Sequence, residues 1–268
     1  MATQFTGDGI RLADGSVLPL YAGEFHYWRQ ERKLWPSTLE ALKELGLSIV
    51  STCVPWSVHE TSKGVFNFRG DLDLAAFLDQ VHKAGLYALV RPGPHCGAEL
   101  TTLGFPERVL KERSVQAVSG QSSPLWLPAP PKMFPVPSYA SAVFQAEVRE
   151  WFAVVGTIVA PRVHPAGPVV GLQLDNKMQM FWRQGAFEGD YHPDALAWWS
   201  EFSEGMDPPR NYQPEDMPRV LLWLHFKEEY IRKSLQWLGD AAEQAGMGGL
   251  ARYHNLPASR PTLCLSLI

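Results

Sequence analysis

Residues 48–94 read SIVSTCVPWSVHETSKGVFNFRGDLDLAAFLDQVHKAGLYALVRPGP, and their pattern decides the fold class. Ser48–Val54 is a short run rich in Ile and Val that stops at Pro55-Trp56, which predicts a buried strand. Leu72, Leu74, Phe77, Leu78 and Val81 then line one helical face over 71–84. Gly85 follows where a helix end favours a residue free to take positive φ. Tyr87–Arg91 is the next strand, closed by Pro92-Gly93-Pro94. Strand, helix and strand at this spacing make a β–α–β unit, and such units build parallel sheets with helical crossovers.

The same rhythm extends both ways. Upstream, Val17–Phe25 reads as a strand after the turn at Asp14-Gly15. A helix follows from Pro36 to about Leu45, with Leu39, Leu42 and Leu45 on one face and Gly46 at its close. Downstream, a helix over 141–159 and a strand at Pro168–Leu174 lead to helical patterns at 194–204 and 216–245 and a fifth strand at Leu250–Asn255. Thr262–Ile268 reads as a strand or a frayed end. Residues 114–141 break the rhythm with dense proline, including Pro128-Ala129-Pro130-Pro131. They are expected to form an irregular lid or pocket wall, in preference to a linker, because Trp126, Met133, Phe134 and Tyr139 need cover.

The fold expected is α/β, a TIM (β/α)8-type barrel over residues 1–268 that stops after about five strands, where the full barrel has about eight. Open edges and an uncovered interior then predict poor solubility or a homo-oligomer.

Bulk composition narrows the function. Hydrophobic residues are 46% and charged residues 19% of 268, enough for a packed core. The formal net charge is −4 with no basic block, which excludes a nucleic-acid footprint and an anionic membrane surface. No apolar run reaches the length of a membrane span, and the start carries no secretory pattern, so a cytoplasmic protein is expected. Cys53, Cys96 and Cys264 fit neither a disulfide framework nor a metal motif, and no cofactor is expected. Ten tryptophans suit core filling or stacking against sugar rings equally well.

In a parallel barrel, ligands meet the carboxyl ends of the strands. Those ends carry Glu24, His26 and Trp28; Trp56, His59 and Glu60; Arg91, His95 and Glu99; Asp175, Asn176 and Lys177; and His254-Asn255. A polar pocket with aromatic walls suits a polyhydroxylated ligand.

The order of these residues resembles a known family. Gly23-Glu24-Phe25-His26-Tyr27-Trp28-Arg29, then Trp35, Leu39, Lys43, Gly46, Pro55-Trp56 and His59-Glu60 resemble the opening of the glycoside hydrolase family 35 β-galactosidases and their family 42-like relatives. So do Gly64-Val65-Phe66-Asn67-Phe68-Arg69-Gly70, Asp73, Phe77, Arg91-Pro92-Gly93-Pro94, Ala98-Glu99 and Gly104-Phe105-Pro106. Gly167 to Asn176 resembles that family's fourth strand, and the likeness runs from about residue 9 to 176, more loosely to 257.

The resemblance implies retaining hydrolysis of terminal β-galactosides by two glutamates about 5–5.5 Å apart. It gives Asn176 the sugar 2-hydroxyl and the next residue the acid/base role, and that residue is Lys177. A lysine pKa near 10.4 lies about six units above that of glutamate, so the proton is held too tightly for a general acid. Asp175 would sit about 6–7 Å deeper, too far to substitute. The nucleophile implied on the seventh strand has no candidate, since no glutamate follows Glu243. Glu188 and Asp190 read as loop or substrate contacts. Cys53 stands where the family has a substrate-contacting tyrosine, which leaves arabinose-, glucose- or oligosaccharide-type ligands open. Ala98 and Glu99 match the pair that binds the outer hydroxyls; a buried ion pair of Glu99 with a strand-end arginine such as Arg91 is the alternative. Glu24 and Trp56 complete the front of the pocket, with Trp56 equally suited to core packing, and His59-Glu60 reads as a tie between loop and barrel. The implied function is a β-galactosidase-like hydrolase, impaired or inactive as this chain; the alternative is a non-catalytic carbohydrate-binding relative.

Overall fold

The structure is a computed structural model that describes residues 2–129, 132–176 and 185–255. It opens with an antiparallel sheet of β1 (Gln4–Thr6), β2 (Gly9–Arg11) and β3 (Val17–Leu18). Then come β4 (Ala22–Glu24), α1 (Trp35–Glu44), β5 (Ile49–Cys53), the short α2 (Trp56–His59) and the hairpin β6 (Glu60–Ser62) with β7 (Val65–Phe66). They are followed by α3 (Leu74–Lys83), β8 (Tyr87–Gly93), α4 (Glu107–Lys111) and a second hairpin, β9 (Trp126–Ala129) with β10 (Lys132–Pro135). The rest is α5 (Ala142–Val159), β11 (Val169–Leu174), α6 (Pro193–Phe202), α7 (Met217–Ala242) and β12 (Ala251–Tyr253).

The five strands β4, β5, β8, β11 and β12 form one parallel sheet whose spatial order is their chain order. Sequential parallel strands with helices between them are the wall of an α/β barrel, as the periodicity predicts. The expected strand Val17–Phe25 divides in two. Pro19 has no N–H for a ladder, so Val17–Leu18 pairs back on β2 and only Ala22–Glu24 joins the barrel wall.

The helices start where the sequence supplies caps. Asp73 accepts from the Ala76 N–H at 2.9 Å, and Ser141 from the Phe144 N–H at 3.1 Å. Gly46 and Gly85 take φ of 83° and 74° just past α1 and α3, a conformation that most other residues resist.

Residues of the barrel strands face two ways, in alternation along β5 and β8 and with a bulge in β11. Val50, Ala88, Val90, Val169 and Leu172 face the helices and merge into one large core with Leu39, Leu78, Phe152 and Val155. Ile49, Leu89 and Val170 face inward and pack against Ile10, Leu12 and Leu18 of the N-terminal sheet. The interior is therefore not bare at the strand starts, contrary to the expectation of an uncovered barrel. Each of these buried aliphatics contributes about 1.5–3 kcal/mol. Thr3 pins the plug, donating to the Val170 carbonyl and accepting from the Ala251 N–H, both at 2.7 Å.

The described residues among 114–141 form a strap with regular elements of its own. Beyond the β9–β10 hairpin, Gln116 bridges to Pro137 and Val118 to Pro124, while Val115, Ala117, Leu125, Leu127 and Phe134 are buried. Asp190 fastens the strap. Its Oδ1 accepts from the Val118 and His192 N–H groups at 3.0 and 2.9 Å. Its Oδ2 accepts from the Ser138 and Tyr230 hydroxyls at 2.5 and 2.9 Å. Asp190 is therefore a buried structural anchor, which fits the loop-contact half of the sequence reading. Among the described residues no helix is long and apolar enough to cross a membrane. Thr262–Ile268 lies outside the described residues.

Candidate functional site

The carboxyl ends of the five strands are joined by one chain of hydrogen bonds. Glu24, ending β4, accepts from Arg91 Nη2 at 2.9 Å, and Arg91 Nη1 donates to the Cys96 carbonyl at 2.7 Å. That carbonyl also accepts from Asn176 Nδ2 at 3.1 Å. Asn176 Oδ1 accepts from Asn255 Nδ2 at 2.9 Å, and Asn255 Oδ1 accepts from Gln173 Nε2 at 2.8 Å. Tyr253 donates to Gln173 Oε1 at 3.1 Å and shares a hydrogen bond with Ser51 of β5. The rim thus reads Glu24, Arg91, Cys96 carbonyl, Asn176, Asn255, Gln173, Tyr253.

The members differ in what they have left to give. Asn176 is buried with both amide ends engaged. Glu24 is 50% exposed, and its Oε2 has no partner among the described residues. Arg91 lies well buried beneath it, so the charge pair is anchored on one side and open on the other.

Beside this rim His26 stacks on Trp28, with centroids 5.3 Å apart at 18°, and the Arg29 guanidinium covers the indole at 4.7 Å. Trp28 Nε1 donates to the Cys53 carbonyl at 3.1 Å, tying the stack to the end of β5. Cys53 itself is buried, its Sγ 3.6 Å from His26 Nδ1. A hydrogen bond with the Cys96 thiol, reinforced by His26 and Arg91, holds the Cys53 thiol down at about 5 against the opposing effect of burial. Burial and the neighbouring Cys53 push Cys96 well above its usual value. The half-buried His26–Trp28 stack, both members of which the sequence puts at the strand ends, stands beside Cys53.

Glu99 pairs with Arg29 Nη1 at 3.2 Å, not with Arg91, and its side chain is 83% exposed. The Ala98 carbonyl accepts from the same guanidinium. Ala98 and Glu99 both sit at φ 52°, a left-handed conformation that L-residues rarely adopt, directly after Gly97 at φ 72°. Trp56 is fully buried and stacked on Trp151 at 6.0 Å and 8°, which fits the core-packing alternative.

The tie expected at His59-Glu60 is present. His59 Nδ1 donates to the Asn67 carbonyl at 2.8 Å, which leaves Nε2 to accept from the Tyr27 hydroxyl at 2.6 Å. Burial pushes His59 down to about 4. Glu60 receives Arg108 Nε and Nη2 at 2.9 and 2.7 Å and the Gly64 N–H at 3.1 Å.

Asp175 is fully buried and turned toward the strap. Its Oδ1 accepts from the Tyr139 hydroxyl at 2.6 Å and the His95 N–H at 3.1 Å. Lys177 lies outside the described residues. Sequence reasoning passed over Arg91 as the central donor, Gln173 and Tyr253. A glutamine in the middle of a buried strand was the available signal, because a polar side chain there must find partners. Among the described residues no group of three or more His, Cys, Asp and Glu side chains has the arrangement of a metal site.

Residues 11–126 match the profile of the glycosyl hydrolases family 35. An exo-beta-D-glucosaminidase of Thermococcus kodakarensis is 26% identical over 258 residues, covering 84% of this chain and 32% of that protein. A beta-galactosidase of Bos taurus is 30% identical over 167 residues, covering 62% of this chain and 22% of that protein. The chain spans about a third of the length of the exo-glucosaminidases it matches, 32% and 34%. In three dimensions, a beta-galactosidase from the haloarchaeon Halorubrum lacusprofundi superposes with a TM-score of 0.67 at 18% identity, over 91% of this chain and 37% of the other. A beta-galactosidase from Marinomonas ef1 gives 0.66 at 16%, over 88% of this chain and 37% of the other. At these identities the structural likeness is one of fold. Fold, motif order and sequence match agree that the chain is a relative of the family 35 glycoside hydrolases and corresponds to the N-terminal part of their catalytic barrel.

Proposed function

We propose that this chain holds a terminal β-galactoside-type sugar at the strand ends and hydrolyses it far more slowly than relatives with a glutamate after the strand-end asparagine. The observation that carries the reading is the rim itself. A half-exposed carboxylate with one oxygen unpartnered among the described residues, an anchored arginine and linked amides stand beside an aromatic stack. Sugar hydroxyls both donate and accept, so a mixed rim with spare capacity at Glu24 suits them, and the His26–Trp28 stack offers an apolar face to the ring's C–H groups.

The slow chemistry follows from Lys177, next to Asn176 in the chain. An ammonium there holds its proton too firmly to protonate a leaving oxygen and repels the developing oxocarbenium charge. Losing the acid role costs on the order of 10²–10⁴-fold. The test is turnover of an aryl β-galactoside by the chain and by Lys177→Glu, with calorimetric titration of galactose. Expected are galactose binding by both, little turnover by the first and a gain by the second. Rapid turnover by the unaltered chain would overturn the impairment, and absence of galactose binding would overturn the site.

A second reading has its own support. Two archaeal exo-beta-D-glucosaminidases match over 84% and 87% of this chain, so a terminal 2-amino sugar belongs in the same assay as an aryl β-glucosaminide. The buried free thiols Cys53 and Cys96 favour a reducing, cytoplasmic setting. Among the described residues β4 and β12 each have a neighbour on one side only, which favours a homo-oligomer.

A further inference from the structure

We propose that the strap and the loop after β8 form a carbohydrate groove distinct from the strand-end rim, built for a neutral oligosaccharide with Trp126 as its stacking platform. Three cavities lie in series. The first, about 620 Å³, is lined by Ser119, Gln121, Ser123, Glu188 and Trp126 among others. The second, about 350 Å³, shares Trp126 and adds Gln116, Lys111 and Met133. The third, about 470 Å³, shares Thr101, Thr102 and Glu107 with the second and continues to Ser57 and Thr61. Trp126 thus faces the first two cavities, and Thr101, Thr102 and Glu107 face the last two. Glu24, Cys53 and Asn176 line none of the three.

The chemistry of the groove selects the ligand. Trp126 is 51% exposed in a chain that buries Trp35, Trp56, Trp151, Trp199 and Trp223 almost completely. An exposed indole between two cavities offers a flat apolar face, while the serine and threonine hydroxyls and glutamine amides around it offer hydrogen bonds in both directions. The charges largely cancel. Glu107 pairs with Lys111 at 2.9 Å and Glu60 with Arg108 at 2.7 Å, while the Glu188 carboxylate accepts the Gly185 N–H at 3.0 Å. A nucleic acid or an acidic peptide would find no surplus of positive charge here, whereas a neutral polyol needs none. The platform is preorganised, since the β9–β10 hairpin belongs to the strap that Asp190 fastens.

The inference takes its ligand class from the strand-end reading but adds a separate surface. The test is titration of the full chain and of Trp126→Ala with galactose and with neutral β-linked galacto-oligosaccharides of increasing length. Expected is affinity that rises with length in the unaltered chain. In Trp126→Ala the longer ligands should weaken about tenfold, the size of an aromatic stacking contribution, while galactose is unchanged. Trp126→Phe should keep most of the gain, which separates loss of the platform from loss of fold. Affinity independent of length, or equal in the chain and in Trp126→Ala, would overturn the groove. Galactose binding that fails while Trp126-dependent oligosaccharide binding persists would overturn the strand-end site and leave the groove standing.

Discussion

Asp190 under the strap and Glu24 at the end of β4 are both carboxylates in contact with several elements, yet they are opposites. Asp190 is fully buried and receives four hydrogen bonds, two on each oxygen. Glu24 is half-exposed, takes one hydrogen bond from Arg91 and keeps an oxygen free among the described residues. Burial of Asp190 is offset by the four donors that fill its lone pairs, and so filled it has nothing to offer a ligand. The difference separates architecture from function better than residue type does. His59, buried in the core, and His26, half-buried on Trp28, differ in exposure in the same sense.

The sharpest way to break this comparison is Asp190→Ala. It strips the acceptor from the Ser138 and Tyr230 hydroxyls and the Val118 and His192 N–H groups, all in a buried place. Unsatisfied buried groups cost about 1–3 kcal/mol each and do not add fully, so a loss of about 4 kcal/mol or more is expected. Urea unfolding measures it, and the strap should become the first site of proteolysis. A loss below about 1 kcal/mol would remove Asp190 from the structural class.

His59 gives the next effect, and it is pH-dependent. In the folded chain burial holds it down at about 4, while in the unfolded chain it titrates near its ordinary 6.5. Between those values the unfolded state binds more protons, so stability declines as the pH falls from about 6.5 to about 4. The full window amounts to on the order of 3 kcal/mol. Protonation would put a proton on the nitrogen that accepts from Tyr27. His59→Gln should show a flatter fall in urea midpoint between neutral and acidic pH. Parallel curves for the two proteins would show that other groups set the acid limit.

What could be read in the sequence was local. Ile and Val runs closed by Pro55 and Pro92, and the glycines at 46 and 85, carried enough information to give all five barrel strands in their spatial order. Glu24 and Asn176 were legible through the order of motifs around them. What was lost depended on distant partners. The burial of Trp56 is decided by Trp151, the pairing of Glu99 by Arg29, and the regularity of the strap by Asp190 on a later loop. No window of sequence contains both members of any of these pairs. The division of Val17–Phe25 was the exception, since Pro19 announces it locally.

Glu24→Gln probes the other side of the comparison and should move stability least. The amide keeps an oxygen that can accept from Arg91, and a half-exposed ion pair contributes little, so a change under about 1 kcal/mol is expected. Arg91 keeps its second bond to the Cys96 carbonyl and is not left without partners. Binding should respond more strongly. A sugar hydroxyl donating to a carboxylate makes a charge-assisted bond, and exchanging it for one to an amide should weaken galactose about tenfold at unchanged fold. Calorimetric titration beside urea unfolding gives both numbers from one preparation. If Glu24→Gln instead unfolds as readily as Asp190→Ala and binds galactose as the parent does, spare hydrogen-bonding capacity is not what distinguishes the rim, and Glu24 joins the structural carboxylates.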